Sequence, residues 1–221
     1  MRHALTAIAH RCPPSAARCA ELVELGATVF EIDVQFVAGE LVSSHFLPLV
    51  RAFPRLRLDG RQLTWQVRDR REIGLVQAAG VVPRPARILL DLKTDVGPAA
   101  HALAAAVVAA DLEPGRFIAC TKGWDTLPAL RAHGLPTWRT VGDAAALRAV
   151  LAGGPLPDEA VTVHHELLDP SVVEALHGSG TRVMTWTVNN VARARRLVEF
   201  GVDGITSDNP EVLREVAAAR R

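Results

Sequence analysis

Eight short apolar segments alternate with helical ones almost throughout this chain, and that rhythm restricts the fold more than any single residue does. The strand-like runs are residues 5–9, 28–34, 88–92, 117–120, 137–141, 160–163, 182–188 and 204–206. Helical patterns fall between them at 16–25, 98–110, 125–132, 144–151, 170–176, 191–200 and 210–219. Such alternation specifies repeated βα units and a parallel sheet. Gly26, Gly134, Gly153, Gly178 and Gly201 stand where left-handed caps would stop helices. Asp125, Asp143 and Asp169 stand where helices would be capped at their starts. An open doubly wound sheet would carry a Gly-rich phosphate loop after its first strand. Here that strand runs into His10-Arg11-Cys12-Pro13-Pro14, without glycine. The expectation is therefore an α/β chain folded as one (β/α)8 TIM barrel domain spanning residues 1–221.

The chain has 221 residues, a little short of the roughly 250 usual for this barrel. Hydrophobic residues make up 49%, enough for a real core. The rhythm breaks once, at residues 46–86, where Pro54, Gly60 and several arginines interrupt weak strand signals. This reads as an excursion between the second and third barrel strands, of the kind that shapes active sites.

Charge narrows the function. With 25 Lys+Arg against 24 Asp+Glu the net charge is +1, and no basic face concentrates. Nucleic acid is excluded as the expected partner. The first residues lack a basic stretch followed by a long apolar run, and no segment is long enough for a transmembrane helix. Cys12, Cys19 and Cys120 form neither an even disulfide set nor a metal-ligand spacing. Reduced thiols and a cytoplasmic setting are expected.

The chemistry-bearing residues lie at strand ends. In 28–36, side chains two apart share a face, so Phe30, Ile32, Val34 and Phe36 oppose Val29, Glu31, Asp33 and Gln35. In a barrel the apolar set would pack on the helices and the two carboxylates would point inward. Neighbouring carboxylates in a partly enclosed site repel, and a divalent cation relieves this by taking oxygen ligands from both. An exposed edge strand with two solvated acids would show the same alternation. Asp91 and Lys93 share one face of the next barrel strand, against Leu90 and Leu92, and offer a third carboxylate and a point charge for phosphate. A surface ion pair is the alternative there. His10-Arg11 follows the first strand and His45 follows the short run 40–44. Two histidines can serve as acid and base, and an Arg fork suits phosphate. Trp186 is core filler or a pocket wall. His164 ends a strand and is read as structural; Asp208 or Asn209 is read as the cap of the last helix.

In order and spacing these pieces resemble the glycerophosphodiester phosphodiesterase family. They are Ala9-His10-Arg11, Gly26 through Glu31-Ile32-Asp33-Val34, Leu41-Val42 through His45, Asp91-Leu92-Lys93, Trp186-Thr187-Val188-Asn189, and Gly201 through Asp208-Asn209-Pro210. The resemblance implies a barrel holding one divalent cation, Ca2+ or Mg2+, on Glu31, Asp33 and Asp91. It implies His10 and His45 as the acid/base pair, Arg11 and Lys93 on the phosphate, and Trp186 in the substrate pocket. The implied reaction hydrolyses a glycerophosphodiester to glycerol 3-phosphate and an alcohol, and the expected partner is a small-molecule glycerophosphodiester or lysophospholipid substrate. Cys12 stands in place of the family's Gly, Asp91 in place of a Glu, and Phe46 in place of the Asp after the second histidine. Residues 91–94 and Asp208-Asn209-Pro210 are also similar to the sphingomyelinase D and phospholipase D barrels, which act on lipid head groups. A barrel that binds a phosphodiester without cleaving it is the non-enzymatic alternative.

Overall fold

The computed structural model describes residues 5–37, 40–43, 55–59, 62–66, 73–93, 97–113 and 115–219. Its elements run β1 (Thr6–Ala9), α1 (Ala16–Glu24), β2 (Val29–Val37), β3 (Glu40–Ser43), β4 (Arg55–Asp59), β5 (Gln62–Gln66), β6 (Ile73–Gly74), α2 (Leu75–Gly80) and β7 (Arg87–Leu92). They continue α3 (Gly97–Ala109), β8 (Phe117–Thr121), α4 (Leu127–Ala132), β9 (Thr137–Val141), α5 (Ala144–Ala152), β10 (Ala160–His164), α6 (Pro170–Gly178), β11 (Arg182–Trp186), α7 (Val191–Phe200), β12 (Gly204–Ser207) and α8 (Pro210–Ala218).

Eight of the strands close on themselves. The ladder runs β1, β12, β11, β10, β9, β8, β7, β2 and returns to β1, every pair parallel. With helices between successive strands this is the (β/α)8 barrel. Closure sorts side chains by parity. Ile8, Val29, Leu89, Ile118, Cys120, Trp138, Ala160 and Met184 form a separate buried cluster, the barrel interior. Phe30, Ile32, Val34, Leu90 and Leu92 instead join the larger apolar cluster that includes the helices' inner faces. β12 contributes Gly204 to the interior, and only glycine fits there. A Cβ at 204 would lie 2.6 Å from Met184 Sδ and 2.8 Å from the Thr6 carbonyl oxygen.

The excursion holds β3 to β6 and α2. β3 pairs antiparallel with the end of β2 and β6 pairs with β3, while β4 and β5 form a separate hairpin. Because β2 outruns the barrel rim to meet β3, Phe36 is 41% exposed rather than packed on helices as the alternation predicts. Two capping expectations also change. Gly26, Gly134 and Gly201 do take positive φ, but the left-handed positions after α5 and α6 are Gly154 and Gly180, not Gly153 and Gly178. Asp143 and Asp169 cap α5 and α6, whereas Asp125 lies inside a single 3-10 turn, Trp124–Thr126, preceding α4. No helix among the described residues is long and apolar enough to cross a membrane.

Candidate active site

On β1, β2 and β7 the interior column runs one to three positions further, to the carboxyl-end mouth. From Val29 the column continues to Glu31, Asp33 and Gln35; from Leu89 it continues to Asp91 and Lys93; from Ile8 it reaches His10. The register then places Asp33 directly beside Asp91. Glu31 and Asp33 are each 4% exposed. Glu31, Asp33 and Asp91 each bring a carboxylate oxygen to within 4.8 Å of one another.

Burial drives the Glu31 carboxyl well above the ordinary carboxylate range, and repulsion from Asp33 and Asp91 adds to the rise. Lys93 and the Arg11 backbone N–H oppose that rise without cancelling it. The Lys93 ammonium ion-pairs with Asp91 and lies 2.7 Å from Asp33 Oδ1 and 4.0 Å from Glu31 Oε1. Its own pKa is pulled down by burial but raised further by the three carboxylates, so it stays charged. The Lys93 ammonium and the Arg11 guanidinium, 3.9 Å from Asp33, are two cations against three carboxylates. An all-oxygen donor set carrying surplus negative charge fits a hard divalent cation of the calcium or magnesium kind.

The loop after β1 bends back over this cluster. Arg11 takes a left-handed backbone, φ 54°, unusual for a residue with a side chain. That turn aims its N–H at Glu31 Oε2, 2.7 Å away, while its guanidinium Nε stands 3.9 Å from Asp33 Oδ2. His10 Nδ1 lies 2.8 Å from Asp208 Oδ1. A carboxylate only accepts, so Nδ1 carries the proton and Nε2 turns to the site, 3.8 Å from Glu31 Oε2. Asp208 is held in turn by the Asn189 amide, 3.1 Å to its Oδ2, and its own N–H donates to Asn189 Oδ1 at 2.9 Å. Burial raises the Asp208 carboxyl, but the hydrogen bond and charge of His10 outweigh this and hold it below the usual range.

The structure thus brings His10, Arg11, Glu31, Asp33, Asp91 and Lys93 into one cluster. The exposed-strand alternative for Glu31 and Asp33 is overturned by their burial. Asp91 meets the other two acids despite its shorter side chain. Trp186 sits at the end of β11 with its indole N–H donated to the Thr162 carbonyl, 3.2 Å. His45 and Phe46 lie outside the described residues. Sequence reasoning offered Asp208 or Asn209 as the cap of α8; Asn209 caps it, and Asp208 instead binds His10. The available signal was parity, since 208 lies two past the inward Thr206. Gln35 was seen only as part of the polar face; it is 2% exposed with neither amide atom hydrogen-bonded. His164, read as structural, makes an edge-on contact with the Trp186 ring.

Fold and site together define a (β/α)8 barrel with a buried acidic centre and a histidine–carboxylate pair at the carboxyl-end mouth. The sequence profile of the glycerophosphoryl diester phosphodiesterase family matches residues 47–212, well over half of the chain, and the chain belongs to that family. The matched span holds Asp91, Lys93, Trp186 and Asp208; His10, Arg11, Glu31 and Asp33 precede it. YhdW of Bacillus subtilis (strain 168), a glycerophosphodiester phosphodiesterase-like protein, is 34% identical over 53 residues, covering 24% of this chain and 22% of its own length. Solved structures are similar over nearly their whole length. One is a glycerophosphodiester phosphodiesterase of Thermotoga maritima, with TM-score 0.69, 17% identity and 96% and 98% of the two chains covered. Another is a phosphodiesterase of Oleispira antarctica in complex with sn-glycerol-3-phosphate, with TM-score 0.69, 18% identity and 97% of each chain covered. A glycerophosphoryl diester phosphodiesterase-like structure from Silicibacter pomeroyi DSS-3 has TM-score 0.75, 21% identity and coverage of 99% and 94%. At these identities the likeness establishes the fold.

Proposed function

We propose that this chain is one barrel domain that hydrolyses glycerophosphodiesters to glycerol 3-phosphate and an alcohol, with a divalent cation and histidine acid/base catalysis. The observation that carries the reading is the triad of buried Glu31 and Asp33 with half-buried Asp91, with His10 Nε2 3.8 Å from Glu31. Family membership supports the substrate class.

Glu31, Asp33 and Asp91 would hold the cation. When bound, it supplies positive charge against the phosphate oxygens as phosphorus becomes five-coordinate. Arg11 and Lys93 lie beside the triad and share that charge. His10, fixed through Nδ1 by Asp208, keeps Nε2 for proton transfer. His45 is the second acid/base group, and Trp186 walls the pocket.

The test is release of glycerol 3-phosphate from glycerophosphocholine, glycerophosphoethanolamine and glycerophosphoglycerol, and of the corresponding product from a lysophospholipid, each with Ca2+, Mg2+ or EDTA. Metal-dependent product from a glycerophosphodiester is the expected result. H10A and H45A should each lower kcat by ~100-fold or more. Head-group release from the lysophospholipid with a cyclic product would replace this reading with a phospholipase D-like one. Tight metal binding without turnover of any diester would replace it with a non-catalytic binding barrel.

A further inference from the structure

Four interior positions meet across the mouth from the carboxylates. Lys122, Gly142, His164 and Trp186 end the columns of β8 to β11, and His164 is the ladder partner of Trp186. The Trp186 indole is fixed by its hydrogen bond to Thr162. The His164 ring meets it edge-on with centroids 5.1 Å apart, and His165 stacks behind His164 at 4.9 Å. Gly142 leaves a gap in this wall that Lys122 fills. A Cβ at 142 would lie 3.2 Å from Lys122 Cε, 3.5 Å from its Nζ and 3.9 Å from Trp186 Cζ2. Lys122 therefore folds inward over Gly142, with its ammonium 6.0 Å from the centroid of the Trp186 ring. Among the described residues no carboxylate pairs with Lys122, whereas Lys93 on the neighbouring strand is surrounded by three. Glu166, 76% exposed, lies 3.9 Å from His164 Nδ1.

A cation with no counter-charge among the described residues, beside an imidazole and an aromatic face, is set to receive negative oxygen. A quaternary ammonium would need that aromatic face for itself, and the lysine already occupies it. An anionic group would instead gain a charge-assisted hydrogen bond from Lys122 and one from the His164 ring. We propose that Lys122, His164 and Trp186 form a second anion-binding subsite, which selects diesters whose alcohol carries a further phosphate or carboxylate over those carrying a quaternary ammonium. The choice of diester rests on the phosphodiesterase reading; the anion binding itself does not.

Two measurements on wild type, K122R and K122E separate these. The first is calorimetric titration with glycerol 3-phosphate and glycerol 1,3-bisphosphate at saturating metal. Wild type and K122R should bind the bisphosphate ~10-fold more tightly than the monophosphate, the scale of one charge-assisted contact, and K122E should lose that preference. The second is the ratio of kcat/KM for phosphorylated glycerophosphoglycerol over glycerophosphocholine, which should fall at least ~10-fold in K122E and survive in K122R. Equal bisphosphate preference in wild type and K122E would overturn the subsite. A bisphosphate preference lost in K122E, with no diester cleaved by any variant, would uphold the subsite and defeat the phosphodiesterase reading.

Discussion

The imidazole of His10 and the carboxylate of Asp208, 198 positions apart in the chain, are joined by a 2.8 Å hydrogen bond where the last barrel strand meets the first. The bond fixes the ring's tautomer and direction. Asp208 is bonded to His10 and Asn189, so in this reading it acts through His10 as a positioning residue. Asp208→Asn should lower kcat by roughly 10- to 100-fold, the range for a lost orienting partner, and should shift the acid limb of the pH–rate profile. An unchanged profile would show that the pair only closes the barrel.

The same pair makes stability depend on pH. His10 holds the Asp208 carboxyl below its usual range despite partial burial. A folded-state pKa below the unfolded one contributes stability above the unfolded value of about 3.9, and loses it as pH falls through the folded value. The Asp208 side chain is 45% exposed, so solvent screens the contact to about 0.5–1 kcal/mol. Urea unfolding should show that gap between wild type and D208N at pH 6 and none at pH 2. A gap that does not close in acid would contradict the linkage.

Glu31 carries the opposite sign. Its folded pKa is raised, so its carboxyl favours the folded state below the unfolded pKa and costs stability as pH rises through the folded value. Glu31→Gln removes that cost, and the metal-free variant should melt no lower than wild type at pH 8. The metal response should reverse the order. At a concentration ~100 times Kd, a cation adds about 2.7 kcal/mol to wild type, or roughly 5–10 °C in Tm for a chain of this size. E31Q should gain little. Equal Tm gains in both proteins would remove Glu31 from the ligand set.

Gly204 tests closure of the barrel. A methyl group there would overlap Met184 Sδ and the Thr6 carbonyl, and the carbonyl is held in place by the β1–β12 ladder. Gly204→Ala should cost about 1–3 kcal/mol, the usual penalty for overpacking a tight core. Gly80 ends α2 with nothing within 4 Å of its added Cβ, and G80A is the control. Urea midpoints at constant m-value make the comparison. Equal midpoints would mean that β11 and β1 yield.

Much of this site was legible before any coordinates. Alternation put Glu31 and Asp33 on one face and Asp91 with Lys93 on one face, and those parities hold because side-chain direction in a strand is a local property. Helix caps at Asp143 and Asp169 follow from the same locality, as the side chain bonds its own backbone two or three residues on. Between Asp208 and Asn209 the cap stayed open, because a capping residue and a residue beside the cap look alike in sequence, and the partner of Asp208, His10, sits at the other end of the chain. Phe36 was misplaced because alternation carries no mark of where β2 leaves the barrel rim.

The sequence by itself determined the eight barrel strands and seven of the helices, the parity of the strand residues at the site and the family's ordered motifs, all set by contacts within a few residues. Only the tertiary structure decided the register of β2 against β7 that sets Asp33 beside Asp91, the closure that brings Asp208 to His10, and the gap at Gly142 into which Lys122 folds. Those relationships depend on packing between strands distant in the chain, and loop closure and steric fit, rather than local propensity, fix them.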